Sequence, residues 1–451
     1  MLAGVVASLI AVAPGADAKP HRSAGDTSKP AVLVHWVEAG PRGAIVRVIT
    51  TARVCPQLTV TTATGSAVQP MQIRAQPSGH KFPNRVCEAT LPRDAQSVTI
   101  DGQTLKAATT SPKRIVVIGD TGCRDGRRQR CADDWDFPAL ARHAAQQKPD
   151  LVIHVGDYNY RGATCPKSKG RIFNGCCTYD PKHPSACGAA DCGDNWDNWN
   201  ADFFTPARPL LDAAPWVVVR GNHELCSRVG HGWFRYLDPQ YPPQACDAHA
   251  VETVPFTAPY AIDAGLLRFI VLDSSDACDD VALPDQVNAF KRQSGAVSAL
   301  AASAPSNVWL IGHRPLWWIT AHDGAVVLTS SATLQPAFGN ALPSKVKLAL
   351  AGHRHLFEAL TFRDAPTASL IVGNGGAELA SDDVPASFRD VSAPTGSRIV
   401  SAGMVIKQHG YLLLTLSPTG WTGTLFSKDD QPLATCNSDV TPVCTAADPH
   451  Q

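Results

Sequence analysis

Leu151-Val-Ile-His-Val-Gly-Asp-Tyr-Asn-Tyr160 opens as an apolar, β-branched run and breaks at Gly156-Asp157. A buried parallel strand ends in this way, which puts Asp157 at the strand's carboxyl end, where open α/β sheets carry their chemistry. The pattern recurs in Arg114 to Asp120 (then Thr121-Gly122) and in Trp216 to Asn222 (then His223-Glu224). It recurs again in Val308 to His313 and in Val346 to His353 (then Arg354-His355). Each apolar run ends in Gly and then Asp, Asn or His. Packing alone accounts for one such run. Five in one chain point to a single metal site with Asp157 at its centre.

The donors so collected are Asp120, Asp157, Tyr160, Asn222, His313, His353 and His355. All are hard or borderline and none is a thiolate, which suits iron, manganese or zinc. A two-metal site needs one carboxylate to bridge ions roughly 3.5–4 Å apart. His353 and His355 are two positions apart, so on a strand they share a face and can serve one ion each. A neutral amide and three imidazoles leave such a site cationic, as a phosphate ester requires.

Taken in order, these blocks resemble the calcineurin-like metallophosphoesterases and are most similar to the purple acid phosphatases. The blocks are Gly119-Asp-Thr-Gly122, Gly156-Asp-Tyr-Asn-Tyr160, Gly221-Asn-His-Glu224, His313 and Gly352-His-Arg-His355, within a span from about Ile115 to Thr415. The resemblance implies a dinuclear centre. Asp120, Tyr160 and His355 would hold Fe(3+), and Asn222, His313 and His353 a divalent ion (Zn, Fe or Mn), with Asp157 between them. His223 would face the phosphate or the leaving oxygen, with Glu224 orienting a neighbour. His322 stands where plant-type relatives have a substrate-facing His, although Asp323 follows it where those relatives often have a second His. Trp317, Trp318 and Ile319 before it equally suit a surface placement. The implied reaction is hydrolysis of phosphate monoesters by a metal-bound hydroxide. Its rivals are phosphodiesterase or nucleotidase action on the same centre, or a binding protein that keeps the fold without turnover. The partner is then a small-molecule phosphate ester.

Composition narrows the class. The chain has 451 residues, 44% hydrophobic and 18% charged, enough for a substantial core. Forty Lys+Arg balance forty Asp+Glu, so there is no broad basic surface for nucleic acid or an anionic membrane. Arg124-Asp-Gly-Arg-Arg-Gln-Arg130 is locally basic, a solvated loop that also attracts anions near Asp120. Leu2 to Ala13 is apolar and Ala16-Asp-Ala18 fits a cleavage site, so residues 1–18 read as a signal peptide, without the usual basic residue ahead of the run. No run is long enough for an ordinary spanning helix, and the expected location is secreted or periplasmic. There are 14 Cys, and behind a signal peptide they read as disulfides. Local spacing pairs Cys55 with Cys87, Cys123 with Cys131, Cys226 with Cys246, and Cys436 with Cys444. Cys165, Cys176, Cys177, Cys187, Cys192 and Cys278 stay unassigned. Cys187 and Cys192 near His183 also fit a zinc knuckle, which the compartment argues against.

The expected fold is α/β: a metallophosphoesterase β-sandwich core flanked by helices, preceded by a small antiparallel β domain. Short alternating pieces punctuated by Gly and Pro place that β domain, with its linker, at 19–112. The catalytic domain follows at 113–428, with a Cys-rich insert at 161–193 and a tail at 429–451. Helical spacing runs over Trp135 to Gln147, Asn195 to Ala213 and Asp285 to Ser303.

Overall fold

Ile115 and Val117 turn to one side of the strand Arg114–Ile118, and Val116 and Ile118 to the other. Both sides are buried because two layers cover this strand. The computed structural model describes residues 32–124, 129–161, 193–246, 255–322, 325–338, 342–363, 365–393, 398–438 and 443–447. The residues read as a signal peptide and its cleavage site, residues 162–192 of the Cys-rich insert and the side chain of His322 lie outside the described residues.

Two mixed sheets pack face to face. In the first, Arg114–Ile118, Leu151–His154 and Trp216–Val218 run parallel at the centre. Gly410–Leu416, Trp421–Ser427, Pro432–Asn437 and Cys444–Ala446 extend it antiparallel on one side. In the second, Leu267–Val271, Asn307–Ile311, Val346–Ala351 and Ala368–Val372 run parallel. Ile153, Val217, Trp309, Leu348 and Leu370 fill the space between the sheets. Helices Phe137–Gln146, Thr205–Ala213 and Gly230–Tyr236 cover the outer face of the first sheet, and Pro284–Ala302 covers that of the second. The fold is thus an α/β sandwich flanked by helices, with an antiparallel β region at its N-terminus.

That β region does not stand apart. Val32–Gly40 pairs parallel with Trp216–Val218, so the N-terminal strands continue the first sheet. On their other face Val37, Val46 and Val48 pack against Leu58, Val60 and Val98 of a separate four-stranded sheet. The stretch expected as a tail likewise supplies sheet strands, Pro432–Asn437 and Cys444–Ala446. Each extension is joined to the central strands by a pairing remote in sequence, Val32–Gly40 with Trp216–Val218 and Gly410–Leu416 with Arg114–Ile118, which local periodicity does not carry.

A buried charge cluster fixes the N-terminal strands to the helix Gly230–Tyr236. Arg74 pairs with Glu88 at 2.9 Å and donates to the carbonyls of Phe234 (2.7 Å), Asp238 (2.8 Å) and Gln240 (2.8 Å). Arg47 bonds Glu38 at 3.2 Å and the carbonyls of Tyr236 and Asp238, each at 2.5 Å. A helix leaves its last carbonyls without intrahelical partners, and here two guanidinium groups supply them.

The four local cysteine pairs, Cys55–Cys87, Cys123–Cys131, Cys226–Cys246 and Cys436–Cys444, are disulfides. Cys278 is also disulfide-bonded. Trp317–His322 forms a hairpin with Ala325–Ser330, and its Trp317, Trp318 and Ile319 are buried against the second sheet's outer core.

Candidate metal centre

The central parallel strands of both sheets end at one edge, and the seven candidate donors follow those ends. Asp120 follows Arg114–Ile118, Asp157 and Tyr160 follow Leu151–His154, and Asn222 follows Trp216–Val218. From the second sheet, His313 follows Asn307–Ile311, and His353 and His355 follow Val346–Ala351. Asp120, Asp157 and His353 have φ of 55°, 60° and 72°. Non-glycine residues avoid that left-handed region, and such strain persists where the surroundings over-determine it, often at active sites. Two glycines are required by contact. A Cβ on Gly221 would lie 2.1 Å from Asp157 Oδ1, and one on Gly156, itself at φ 102°, would lie 2.4 Å from His313 Nδ1.

The side chains converge in two groups that share Asp157. Asp157, His313 and His353 offer ligand atoms within 4.8 Å of one another, and so do Asp120, Asp157 and His355. Tyr160 Oη lies 2.8 Å from Asp157 Oδ2, 3.1 Å from Asp120 Oδ1 and 2.8 Å from His355 Nε2. Asn222 Oδ1 lies 3.0 Å from His313 Nε2 and 2.7 Å from His353 Nδ1. The chain matches the calcineurin-like phosphoesterase family over residues 113–357.

It belongs to the calcineurin-like phosphoesterases.

Metal-dependent hydrolysis of phosphoesters at a dinuclear centre follows from that membership. No curated protein matches the chain. Among solved structures it is similar to the GAP50 anchor in the inner membrane complex of Plasmodium, at 12% identity and a TM-score of 0.38, over 72% of this chain and 88% of that one. It is also similar to a conserved predicted phosphoesterase from Streptococcus pneumoniae, at 8% identity and a TM-score of 0.25, over 75% of this chain and 98% of that one. At these values neither likeness bears on what the phosphoesterase does.

Two ions fit this donor set, and the far nitrogens of the three imidazoles show why. His313 Nδ1 donates to the carbonyl of Val155 at 2.8 Å, and His355 Nδ1 to that of Glu378 at 2.6 Å. His353 Nε2 meets the Asp279 carboxylate at 2.8 Å. A neutral imidazole has one N–H. With that proton turned outward, each ring aims a lone pair into the site, at other acceptors. The single phenol proton of Tyr160 likewise cannot satisfy three acceptors. Cations among these atoms satisfy all of them. The protein alone resolves the conflict with protons. Burial opposes charge on His313, but Asp157 at 3.3 Å, together with Asp120 and the Val155 carbonyl, outweighs it and raises the imidazole to about 9. Burial also pushes the Asp120 carboxyl well above its usual range, with Asp157 reinforcing it and His313 opposing.

Supports around the donors include several residues that sequence reasoning missed. Glu224, expected only to orient a neighbour, accepts from the backbone N–H groups of Asp157 (3.0 Å), Tyr158 (2.9 Å), Asn159 (3.3 Å) and Gly221 (3.0 Å). It therefore holds the loop carrying Asp157 against the loop carrying Asn222. Asp202, on a π-helical turn over Asn200–Phe204, accepts from Tyr160 N at 2.9 Å. Ser274 Oγ accepts from His313 N at 2.9 Å and Arg314 N at 2.8 Å. Asp279 sits between His353 and Arg314 Nη1, the latter at 2.5 Å. The apolar run Leu266 to Leu272, ending at Asp273, is the one signal in the sequence that leads to the neighbourhood of Ser274 and Asp279. His154 is buried, stacks on Tyr158 at 3.9 Å and bonds Thr121 Oγ1 at 2.9 Å. Outer carboxylates of this kind typically contribute ten- to a hundred-fold to metal affinity. Asp279→Ala is therefore expected to weaken metal binding by about that factor, read by competition with a calibrated chelator. An unchanged affinity contradicts the role.

A cleft of ≈ 470 Å³ opens over the donors, lined by Arg124, Asp157, Asn222, His223, His353 and His355 on the metal side and by Trp318, Thr320 and Thr329 of the hairpin opposite. The His223 ring lies 3.9 Å from the ring of Tyr160, and its backbone N–H bonds Asp157 Oδ1 at 2.8 Å. Burial, reinforced by Arg228, holds its imidazole well below the usual range. The backbone of His322 ends the strand Trp317–His322, whose Trp318 and Thr320 line the cleft.

Proposed function

We propose that this phosphoesterase hydrolyses phosphate monoesters at a centre of the purple acid phosphatase type. Asp120, Tyr160 and His355 would hold Fe(3+), Asn222, His313 and His353 a divalent ion (Zn, Fe or Mn), and Asp157 both. The supporting observation is the phenol oxygen of Tyr160, which lies within 3.1 Å of Asp120, Asp157 and His355 together.

Bound ions would neutralise phosphoryl charge and activate the attacking water. The chain's own groups do the rest. Asp157 is held rigidly from behind by Glu224 and from the side by the N–H of His223. His223 projects into the cleft without belonging to either donor group. A phosphoryl dianion arriving beside its ring counteracts burial and Arg228 and raises its proton affinity. His223 can then hold a proton at the leaving oxygen and release it to the departing alkoxide. His322, at the cleft's hairpin, is the second candidate for contact with substrate.

Four disulfides among the described residues, and no described helix long and apolar enough to cross a membrane, are compatible with an extracellular protein. Export, with cleavage after Ala18, is part of this reading; intact mass after secretion that still includes Met1 would count against it.

An aryl phosphate and an aryl phosphodiester, assayed with and without a chelator, test the function. Chelator-sensitive cleavage of the monoester in preference to the diester is expected. Preference for the diester makes the protein a phosphodiesterase on the same centre, and no cleavage of either makes it a binding protein. Tyr160 gives a spectroscopic check. A trivalent cation holds a phenol deprotonated far below its free value of about 10, and a phenolate on ferric iron absorbs in the visible. Tyr160→Phe is expected to abolish that band while the fold persists. An oxidised, iron-loaded wild type without the band removes the tyrosinate and the ferric assignment.

A further inference from the structure

Arg124 is the cation of the cleft that the centre leaves unused. Arg314 is engaged by Asp279 and by the carbonyl of Ser275, and Arg354 is paired with Asp382. Arg124 is exposed and lines the cleft, and its guanidinium carbon stands 5.4 Å from the centre of the Tyr160 ring. No carboxylate among the described residues pairs with it.

The segment that carries it is built in place. The Cys123–Cys131 disulfide begins at the preceding residue. Gln129 Oε1 accepts from Arg124 N at 2.9 Å and from Glu378 N at 3.2 Å, while Gln129 Nε2 donates to the carbonyl of Gly376 at 2.6 Å. Gln129 is buried. It ties the backbone of Arg124 to the loop whose Glu378 carbonyl orients His355. The backbone of Arg124 is thus fixed, and its guanidinium and the His223 ring both line the cleft and both lie against the ring of Tyr160.

We propose that Arg124 recognises the terminal oxygens of the substrate phosphoryl group and sets the preference for dianionic monoesters over monoanionic diesters. Guanidinium presents two parallel N–H groups that match two phosphoryl oxygens. A monoester offers three terminal oxygens with a charge near −2, enough to face the centre and still present a pair to the fork, whereas a diester has only two and carries −1. The contact therefore favours the monoester in charge and in shape. The inference rests on the monoester reading above, and inorganic phosphate is a probe of it that needs no turnover.

The experiment compares metal-loaded wild type with Arg124→Gln and Arg124→Lys. Three quantities are measured: metal content, affinity for inorganic phosphate by calorimetry, and the ratio of kcat/KM for an aryl monoester to that for the matched diester. A hydrogen bond to a charged group is commonly worth about ten- to a hundred-fold in binding. Arg124→Gln is expected to weaken phosphate by that factor and to lower the monoester-to-diester ratio at least tenfold, with metal content retained. Arg124→Lys keeps the charge without the fork and should fall between. Phosphate affinity and ratio both within threefold of wild type overturn the proposal. So does loss of metal from Arg124→Gln, which would make Arg124 a support of the centre. If the wild type cleaves neither ester, the monoester reading fails, and phosphate affinity alone then decides for or against Arg124.

Discussion

His223→Ala is expected to lower kcat by about a hundred- to ten-thousand-fold, the usual range for a general acid or base, while both ions stay bound. The geometry separates these two outcomes. The imidazole of His223 faces the cleft and the ring of Tyr160, and it belongs to neither donor group. Its link to the centre is its backbone N–H, 2.8 Å from Asp157 Oδ1, which alanine preserves. Loss of turnover with metal content intact is therefore the signature of a group that handles a proton at the substrate. Loss of metal would make His223 a ligand. Unchanged turnover would move the acid elsewhere, with His322 next in line.

Arg74→Met is expected to destabilise the fold by about 3–5 kcal/mol, the range seen when one partner of a buried ion pair is removed. Arg74 and Glu88 are both buried at their charged ends, and Arg74 also serves carbonyls at the end of the helix Gly230–Tyr236. Methionine has similar bulk, so the lost hydrogen bonds to Glu88 and to the buried carbonyls dominate the cost, although Arg42 and Arg47 stay beside Glu88. Arg42→Met is the control. Arg42 pairs with the same Glu88, but its side chain is 32% exposed, and it should cost no more than about 1 kcal/mol. Denaturant midpoints of the two variants measure the difference. Similar midpoints would mean that the buried cluster fixes geometry without adding stability.

The candidate site was legible because its residues obey a local rule. Asp120, Asp157, Asn222, His313 and His353 each follow an apolar strand and a glycine, so five short windows contain them. Tyr160 and His355 lie two or three positions further on. The structure brings all seven side chains together. The four disulfides were legible because each joins two cysteines with no other cysteine between them. What was not legible depends on distance along the chain. Asp202 meets Tyr160 across 42 positions and Asp279 meets His353 across 74, with no periodicity to announce either. The pairing of Glu38 with Trp216, which merges the N-terminal strands into the central sheet, is equally remote.

The most direct test of the account is the metal content per chain of the wild type beside that of Asp157→Ala. Asp157 is the one residue common to both donor groups, and each group keeps other donors without it. The account predicts two tightly held ions in the wild type and a loss at both positions in the variant. A wild type that holds a single ion, or an Asp157→Ala variant that retains two, would contradict a centre built around a shared Asp157.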